Sequence, residues 1–245
     1  MYQIDINCDT GEGIGNEALL MPLIGSCNIA CGGHAGDMAS MEMCVSLARK
    51  HGVRIGAHPS YPDREHFGRQ SLVLAPDVLQ ASLQEQLRAM DQVLESSGAP
   101  LHHIKAHGAL YNDLAVGGAL AATYLQALAA YRGIAALYAP AGSAFADQAR
   151  EAGYAVIEEA FGDRAYQPDG RLVPRTQAGA VLHTPEAVLA QLLEMVFHER
   201  VRSLQGAFVP LKAQTFCIHG DTAEAYEILA YLARELPKHQ IQFSP

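Results

Sequence analysis

Apolar and polar residues alternate through Tyr2-Gln3-Ile4-Asp5-Ile6-Asn7-Cys8-Asp9, the period of a β-strand, so Asp5, Asn7 and Asp9 share one face. In a closed parallel barrel that face is the interior near the mouth, a place for polar groups only if they serve a site. Comparable runs predict strands at 26–31, 53–59, 101–108, 135–140, 155–159 and 215–221. Between them, helical spacing predicts a short helix over 17–24 and longer ones over 37–51, 76–97, 110–130, 143–151 and 184–200, with a last helix to 236. Asp37 and Thr184 are expected N-caps, and Asp221-Thr222-Ala223-Glu224 reads as a capping box. Leu79, Leu83, Leu87, Met90 and Leu94 form a stripe to be buried on the sheet. Strands alternating with helices imply a parallel sheet, and 245 residues suit a single α/β barrel domain spanning 1–245.

Polar chemistry gathers where the strands end. Six segments stop on ionisable groups: Asp9/Glu12, His34/Asp37, His58/Asp63, Lys105/His107, Glu158/Asp163 and His219/Asp221. In an α/β barrel these ends share one mouth, which predicts a single catalytic cleft. A lysine closing an apolar strand is expected to be desolvated, with a lowered pKa. Loops 60–71 and 160–183 are long and polar, the second exceeding ordinary connections and reading as a lid or binding loop. Histidines and carboxylates with one lysine suit either general acid/base work or a divalent metal that activates water. Gly11, Gly13 and Gly15 match neither the Walker nor the dinucleotide pattern, and there is no Gly-x-Ser-x-Gly elbow. His102 and His103 are expected at a strand start.

Composition narrows the partners. A net charge of −9 with no Lys/Arg run argues against nucleic acid or anionic membrane surfaces. No apolar run reaches the roughly 20 residues of a membrane span, and no leader is expected, so the expected location is cytoplasmic. Cys8, Cys27, Cys31 and Cys217 lie in strand-like runs and are expected to be buried, reduced thiols; Cys27 and Cys31, a lone C-x3-C pair, read as packing residues.

Several strings resemble the LamB/YcsF family of 5-oxoprolinase A subunits: Asp-Ile-Asn-Cys-Asp-Thr-Gly-Glu (5–12), Asn-Ile-Ala-Cys-Gly-Gly-His-Ala-Gly-Asp (28–37) and Gly-Ala-His-Pro-Ser-Tyr-Pro-Asp (56–63). So do Phe-Gly-Arg (67–69), Lys-Ala-His-Gly-Ala-Leu-Tyr-Asn (105–112), Phe-Gly-Asp-Arg-Ala-Tyr (161–166), Leu-Val-Pro-Arg (172–175) and Ile-His-Gly-Asp-Thr (218–222). Ala106, Gln70 and Thr10 depart from that pattern, which has Pro, Arg and Leu there. The resemblance implies a seven-stranded TIM-like (β/α) barrel of the glycoside hydrolase/deacetylase type. It implies ATP-dependent opening of 5-oxoproline to L-glutamate, with ATP consumed here or on a partner, and two partner subunits, B and C.

Strand-end reading and resemblance together name Asp9, Glu12, His34, His58, Lys105, His107 and His219 as catalytic. They name Asn7, Asn28, Asp37, Asp63, Arg69, Tyr111, Asp163, Arg164, Arg175 and Asp221 as substrate contacts. Arg164 or Arg175 is the expected clamp for a substrate carboxylate. A metal is left open, with Asp9, His34 and His58 as its ligands if one binds, and so is a homo-oligomer. Two alternatives stand beside this reading: a metal-dependent deacetylase or amidohydrolase acting alone, and a non-catalytic subunit that only binds pyroglutamate.

Overall fold

In the computed structural model, which describes residues 2–222 and 224–243, the polar face of the first strand turns into the middle of a closed parallel sheet. The strands are β1 (Tyr2–Thr10), β2 (Ser26–Ala30), β3 (Arg54–His58), β4 (His103–Lys105), β5 (Ala136–Pro140) and β6 (Val156–Phe161). A small antiparallel hairpin follows, β7 (Arg200–Arg202) and β8 (Phe208–Pro210), then β9 (Thr215–Cys217) and β10 (Ile241–Phe243). β1 to β6 pair in order, β6 pairs with β9, and β9 returns to β1 with Asp5 opposite Thr215, which closes a seven-stranded TIM-like barrel. β10 adds to the start of β1, Tyr2 opposite Ile241.

Helices cover the outside. They are α1 (Glu17–Leu20), α2 (Met38–His51), α3 (Pro76–Ser97), α4 (Gly108–Leu114), α5 (Ala119–Ala127), α6 (Ala144–Glu151), α7 (Pro185–His198) and α8 (Ala225–Glu235). The apolar core lies between strands and helices, and the α3 stripe Leu79, Leu83, Leu87, Met90 and Leu94 is buried there as its spacing predicts. Asp37 caps α2, its carboxylate accepting the Ser40 amide at 2.8 Å, and Thr184 caps α7. All five cysteines are buried and free.

Three local expectations fail. The helix expected over 110–130 is two helices, because Gly117 and Gly118 both take positive φ (72° and 81°) and turn the chain between α4 and α5. α8 begins at Ala225 without a side-chain cap on Glu224, so Asp221 is not its cap; Ala223, inside the expected box, lies outside the described residues. Short β7, β8 and β10 carry too few residues for a period to show.

The interior of the barrel is polar from end to end. At the amino-terminal end, Asp5 accepts from Arg54 (2.8 Å), Thr215 (2.6 Å) and Tyr138 (3.0 Å), so it plugs the floor rather than facing the mouth. One layer up, Asn7 donates to Glu159 and Thr215, both at 2.8 Å, and the Asn28 amide donates to Asn7 and Asp9, both at 2.8 Å. His103 is fully buried here, donating Nε2–H to Asn28 at 2.7 Å and stacking on Tyr138 with centroids 3.8 Å apart. Polar groups removed from water survive only when so satisfied. Gly56 makes room: a Cβ there would lie 2.1 Å from His103 Nε2.

Gly56→Ala is therefore expected to cost at least about 1–3 kcal/mol in denaturant unfolding, because His103 is pinned on both sides and cannot yield. Burial, reinforced by the charges of His102 and Lys105, holds His103 well below the ordinary 6.5. A depressed folded pKa gives stability that is complete above 6.5 and lost as pH falls toward the folded value. Melting temperature below pH 6.5 is thus expected to fall more steeply in the wild type than in His103→Asn, compared as slopes.

Candidate functional site

The carboxyl ends of the strands gather around Lys105, the last residue of β4. Its ammonium lies 3.1 Å from Asp9, 2.9 Å from Glu159, 3.3 Å from the Asn7 amide oxygen and 3.1 Å from Cys217 Sγ. Burial acts to neutralise the lysine, but Asp9 and Glu159 outweigh it and hold the ammonium well above its usual pKa. This corrects the expectation of a lowered value: Lys105 is a fixed positive charge. Asp9 stays ionised despite burial because His58 and Lys105 face it.

A ring of imidazoles sits just above. The Lys105 carbonyl accepts from His58 Nδ1 at 2.9 Å, and the Phe67 carbonyl accepts from His107 Nε2 at 2.9 Å. Phe67 holds φ at 55°, a costly conformation for a side chain of its size, and that conformation aims its carbonyl. Carbonyls only accept, so in the neutral rings these bonds put the lone pairs on His58 Nε2 and His107 Nδ1, which face each other at 3.0 Å. Glu12 adds a carboxylate oxygen 3.3 Å from His107 Nδ1 and 2.9 Å from His34 Nε2. His34 stacks on His107 with centroids 3.5 Å apart, and Gly68 allows this approach, since a Cβ there would meet His34 at 2.9 Å.

Burial, aided by the neighbouring His107 and His58, pushes His34 down to about 3, against the pull of Glu12; burial likewise lowers His107. Glu12 is held low because the His107 and His34 rings beside its carboxylate outweigh its burial. Imidazole nitrogens and an ionised carboxylate converge, with Glu12, His34, His58 and His107 offering ligand atoms within 4.8 Å of one another. Converging lone pairs repel unless a cation lies between them, and two of the rings are oriented by carbonyls on their far nitrogens, so the donor set fits a divalent metal. Of the expected set Asp9, His34 and His58, the two histidines lie in this cluster with Glu12 and His107, while Asp9, 3.4 Å from His58 Nε2, salt-bridges Lys105 and groups with Cys217 and His219.

Asp163, wholly buried, accepts from both the amide (2.9 Å) and Nδ1 (2.9 Å) of His219, which leaves the neutral ring's lone pair on Nε2. His219 holds Asp163 ionised against burial. Asn7 and Asn28 lie beneath this layer as bracing rather than at the mouth. Tyr111 is buried with Lys105 Nζ 5.9 Å from its ring centroid, and burial and the Glu159 carboxylate push its hydroxyl up.

The loops account for the remaining expected residues. Asp37 is an exposed helix cap, and Asp63 holds His66 at 2.9 Å through Oδ1 while its other oxygen, Oδ2, is buried with no hydrogen-bond partner among the described residues. Arg164 is buried and donates to the carbonyls of Ala180 (3.2 Å) and Val173 (2.6 Å), tying loop 160–183 together. Asp221 bridges Arg69 and Arg175, the latter at 3.3 Å. Sequence reasoning missed Glu159, His103, Cys217 and the Phe67 carbonyl. Strand alternation could have found Glu159, which lies opposite Thr215 with its side chain inward, whereas Glu158 turns out to Arg150 and the Gly142 amide.

A closed β/α barrel with its ionisable groups at the carboxyl ends of the strands places the chain in the TIM-like barrel class. Within that class it belongs to the LamB/YcsF family, whose sequence profile matches residues 4–245. The chain is similar to a lactam utilization protein from Thermus thermophilus, with 34% identity over 98% of each chain and a TM-score of 0.91. A family 4 carbohydrate esterase from Streptomyces lividans, solved with acetate, shares the fold at 12% identity and a TM-score of 0.51, over 100% of this chain and 92% of the other. Among the described residues no helix is long and apolar enough to cross a membrane.

Lys105→Met would leave the Asp9 and Glu159 carboxylates facing each other. We expect a loss of about 3–5 kcal/mol at neutral pH in denaturant unfolding, shrinking on acidification as one carboxylate takes up a proton.

Proposed function

We propose that this chain is the A subunit of an ATP-dependent 5-oxoprolinase, opening the lactam of 5-oxoproline to L-glutamate together with subunits B and C. Family membership and likeness to a lactam utilization protein support the substrate class. The observation that carries the chemistry is the Asp163–His219 pair set beside Asp9 and the Lys105 ammonium at one barrel mouth.

A five-membered lactam is a resonance-stabilised amide with little ring strain, so it resists water until its carbonyl is activated. ATP supplies that activation by phosphorylating the lactam oxygen. Water then adds to the activated carbon, and His219 Nε2 takes its proton while Asp163 keeps the ring oriented through Nδ1. The adduct breaks its ring C–N bond as that proton passes to the departing nitrogen, and a second water hydrolyses the resulting acyl phosphate to L-glutamate and phosphate. The Lys105 ammonium stabilises negative charge developing on oxygen, in a buried site where a fixed charge acts strongly. A divalent cation held by Glu12, His34, His58 and His107 supplies Lewis-acid polarisation and water activation when bound. The converging lone pairs of that set favour a second reading, a metal-dependent amidohydrolase that needs neither ATP nor partners.

The test is glutamate release from 5-oxoproline by the chain reconstituted with subunits B and C, with and without ATP. Expected is ATP-dependent turnover that falls by about 10²-fold or more in His219→Asn, with assembly intact. Amide cleavage by the metal-loaded chain alone would establish the second reading instead. Full turnover in both His219→Asn and Asp163→Asn would make the chain a binding subunit only.

A further inference from the structure

Three loops meet over the mouth through one carboxylate. Asp221, two residues past His219, uses a single oxygen, Oδ2, for both Arg69 and Arg175. Its other oxygen, Oδ1, is buried with no hydrogen-bond partner among the described residues. A buried carboxylate oxygen left bare is costly, and a guanidinium satisfied through one N–H keeps the rest of its donor fork unspent. The triad is thus an incomplete match: two positive charges share half of one carboxylate, in a chain whose net charge is −9.

Its position ties it to the histidines. Arg69 directly follows Gly68, which packs on His34, and its guanidinium lies 4.9 Å from the centroid of Phe67, whose carbonyl holds His107. Arg175 comes from the long loop that Arg164 fastens from within.

The geometry points to Arg69 and Arg175 as a subsite for the carboxylate of a small organic acid, with Asp221 as its internal occupant until the acid arrives. This assignment rests on the lactam-hydrolase reading for the identity of the acid, and adds to it that Asp221 competes with the substrate for the arginines. A ligand carboxylate brings two oxygens to two guanidiniums, the bidentate arrangement the triad lacks. When it binds, Asp221 is displaced and the link between the loop after β9 and the other two loops is released. Asp221 is then a specificity-determining residue: it sets the affinity threshold that an incoming anion must exceed.

The test is calorimetric titration of the full chain with three probes: 5-oxoproline, 2-pyrrolidone (the lactam without a carboxylate) and cyclopentanecarboxylate (a ring carboxylate without a lactam). Asp221→Asn keeps the size of the side chain and removes the competing charge. Both acids are expected to bind it about tenfold tighter than the wild type, and 2-pyrrolidone no differently. Arg175→Gln is expected to weaken both acids about tenfold and to leave 2-pyrrolidone unchanged, a contrast that general unfolding would not give. Unchanged or weaker acid binding by Asp221→Asn, or no acid binding by any form, overturns the proposal. Tighter binding of cyclopentanecarboxylate alongside no 5-oxoproline hydrolysis by the reconstituted complex would leave the subsite standing and remove the lactam reading.

Discussion

The ammonium of Lys105 is buried between two carboxylates, and most of the barrel's interior follows from that arrangement. One positive charge facing Asp9 and Glu159 leaves an excess of acceptors in a space without bulk water, so the carboxylates draw donors from the layer beneath. Asn7 and Asn28 supply them, His103 braces Asn28, and Gly56 gives up its side chain so that His103 fits. An ordinary barrel fills this volume with branched apolar residues. Here the filling is a hydrogen-bonded stack whose upper surface presents fixed charges and oriented imidazoles, so the groups at the mouth are already aligned before a ligand arrives.

The order of strands and helices was legible because long elements repeat their period often enough to show it: β1 alternates over its whole length and α3 shows an unbroken stripe. Elements of three residues, such as β7, β8 and β10, show no period, and the break at Gly117-Gly118 was hidden because the buried positions Leu110, Leu114, Ala121 and Leu125 keep helical spacing across it. Direction along the strand was not legible either. Asp5 and Asp9 lie on the same face of β1, yet one plugs the floor and the other lines the mouth, since alternation fixes the face and says nothing of depth.

The candidate site was legible where chemistry coincides with strand ends. His34, His58, His107, Glu12, Asp9 and Lys105 stand together, because the closed parallel sheet brings all such ends to one rim. Less legible was what each side chain's immediate neighbours ask of it. Asp37 is used up by the start of its own helix, and Arg164 by carbonyls of its own loop. Lys105 shows the same limit in energetic form: burial alone would discharge it, and only the two carboxylates arriving from distant strands reverse the sign.

The closure of the barrel carries a consequence for how the chain folds. β1 pairs with β2 within a few turns of chain, but its other edge waits for β9, and Asp5 meets Thr215 across 210 positions of sequence. Until that late strand docks, the first strand has one open edge and Lys105 lacks the Cys217 side of its cradle. Contacts this distant in sequence slow the crossing of the folding barrier, and an open parallel edge in the meantime is a place where another chain can add. A slow late phase in refolding, shortened by whatever covers the edge of β1, is the kinetic expression of a ring that its last inner strand completes.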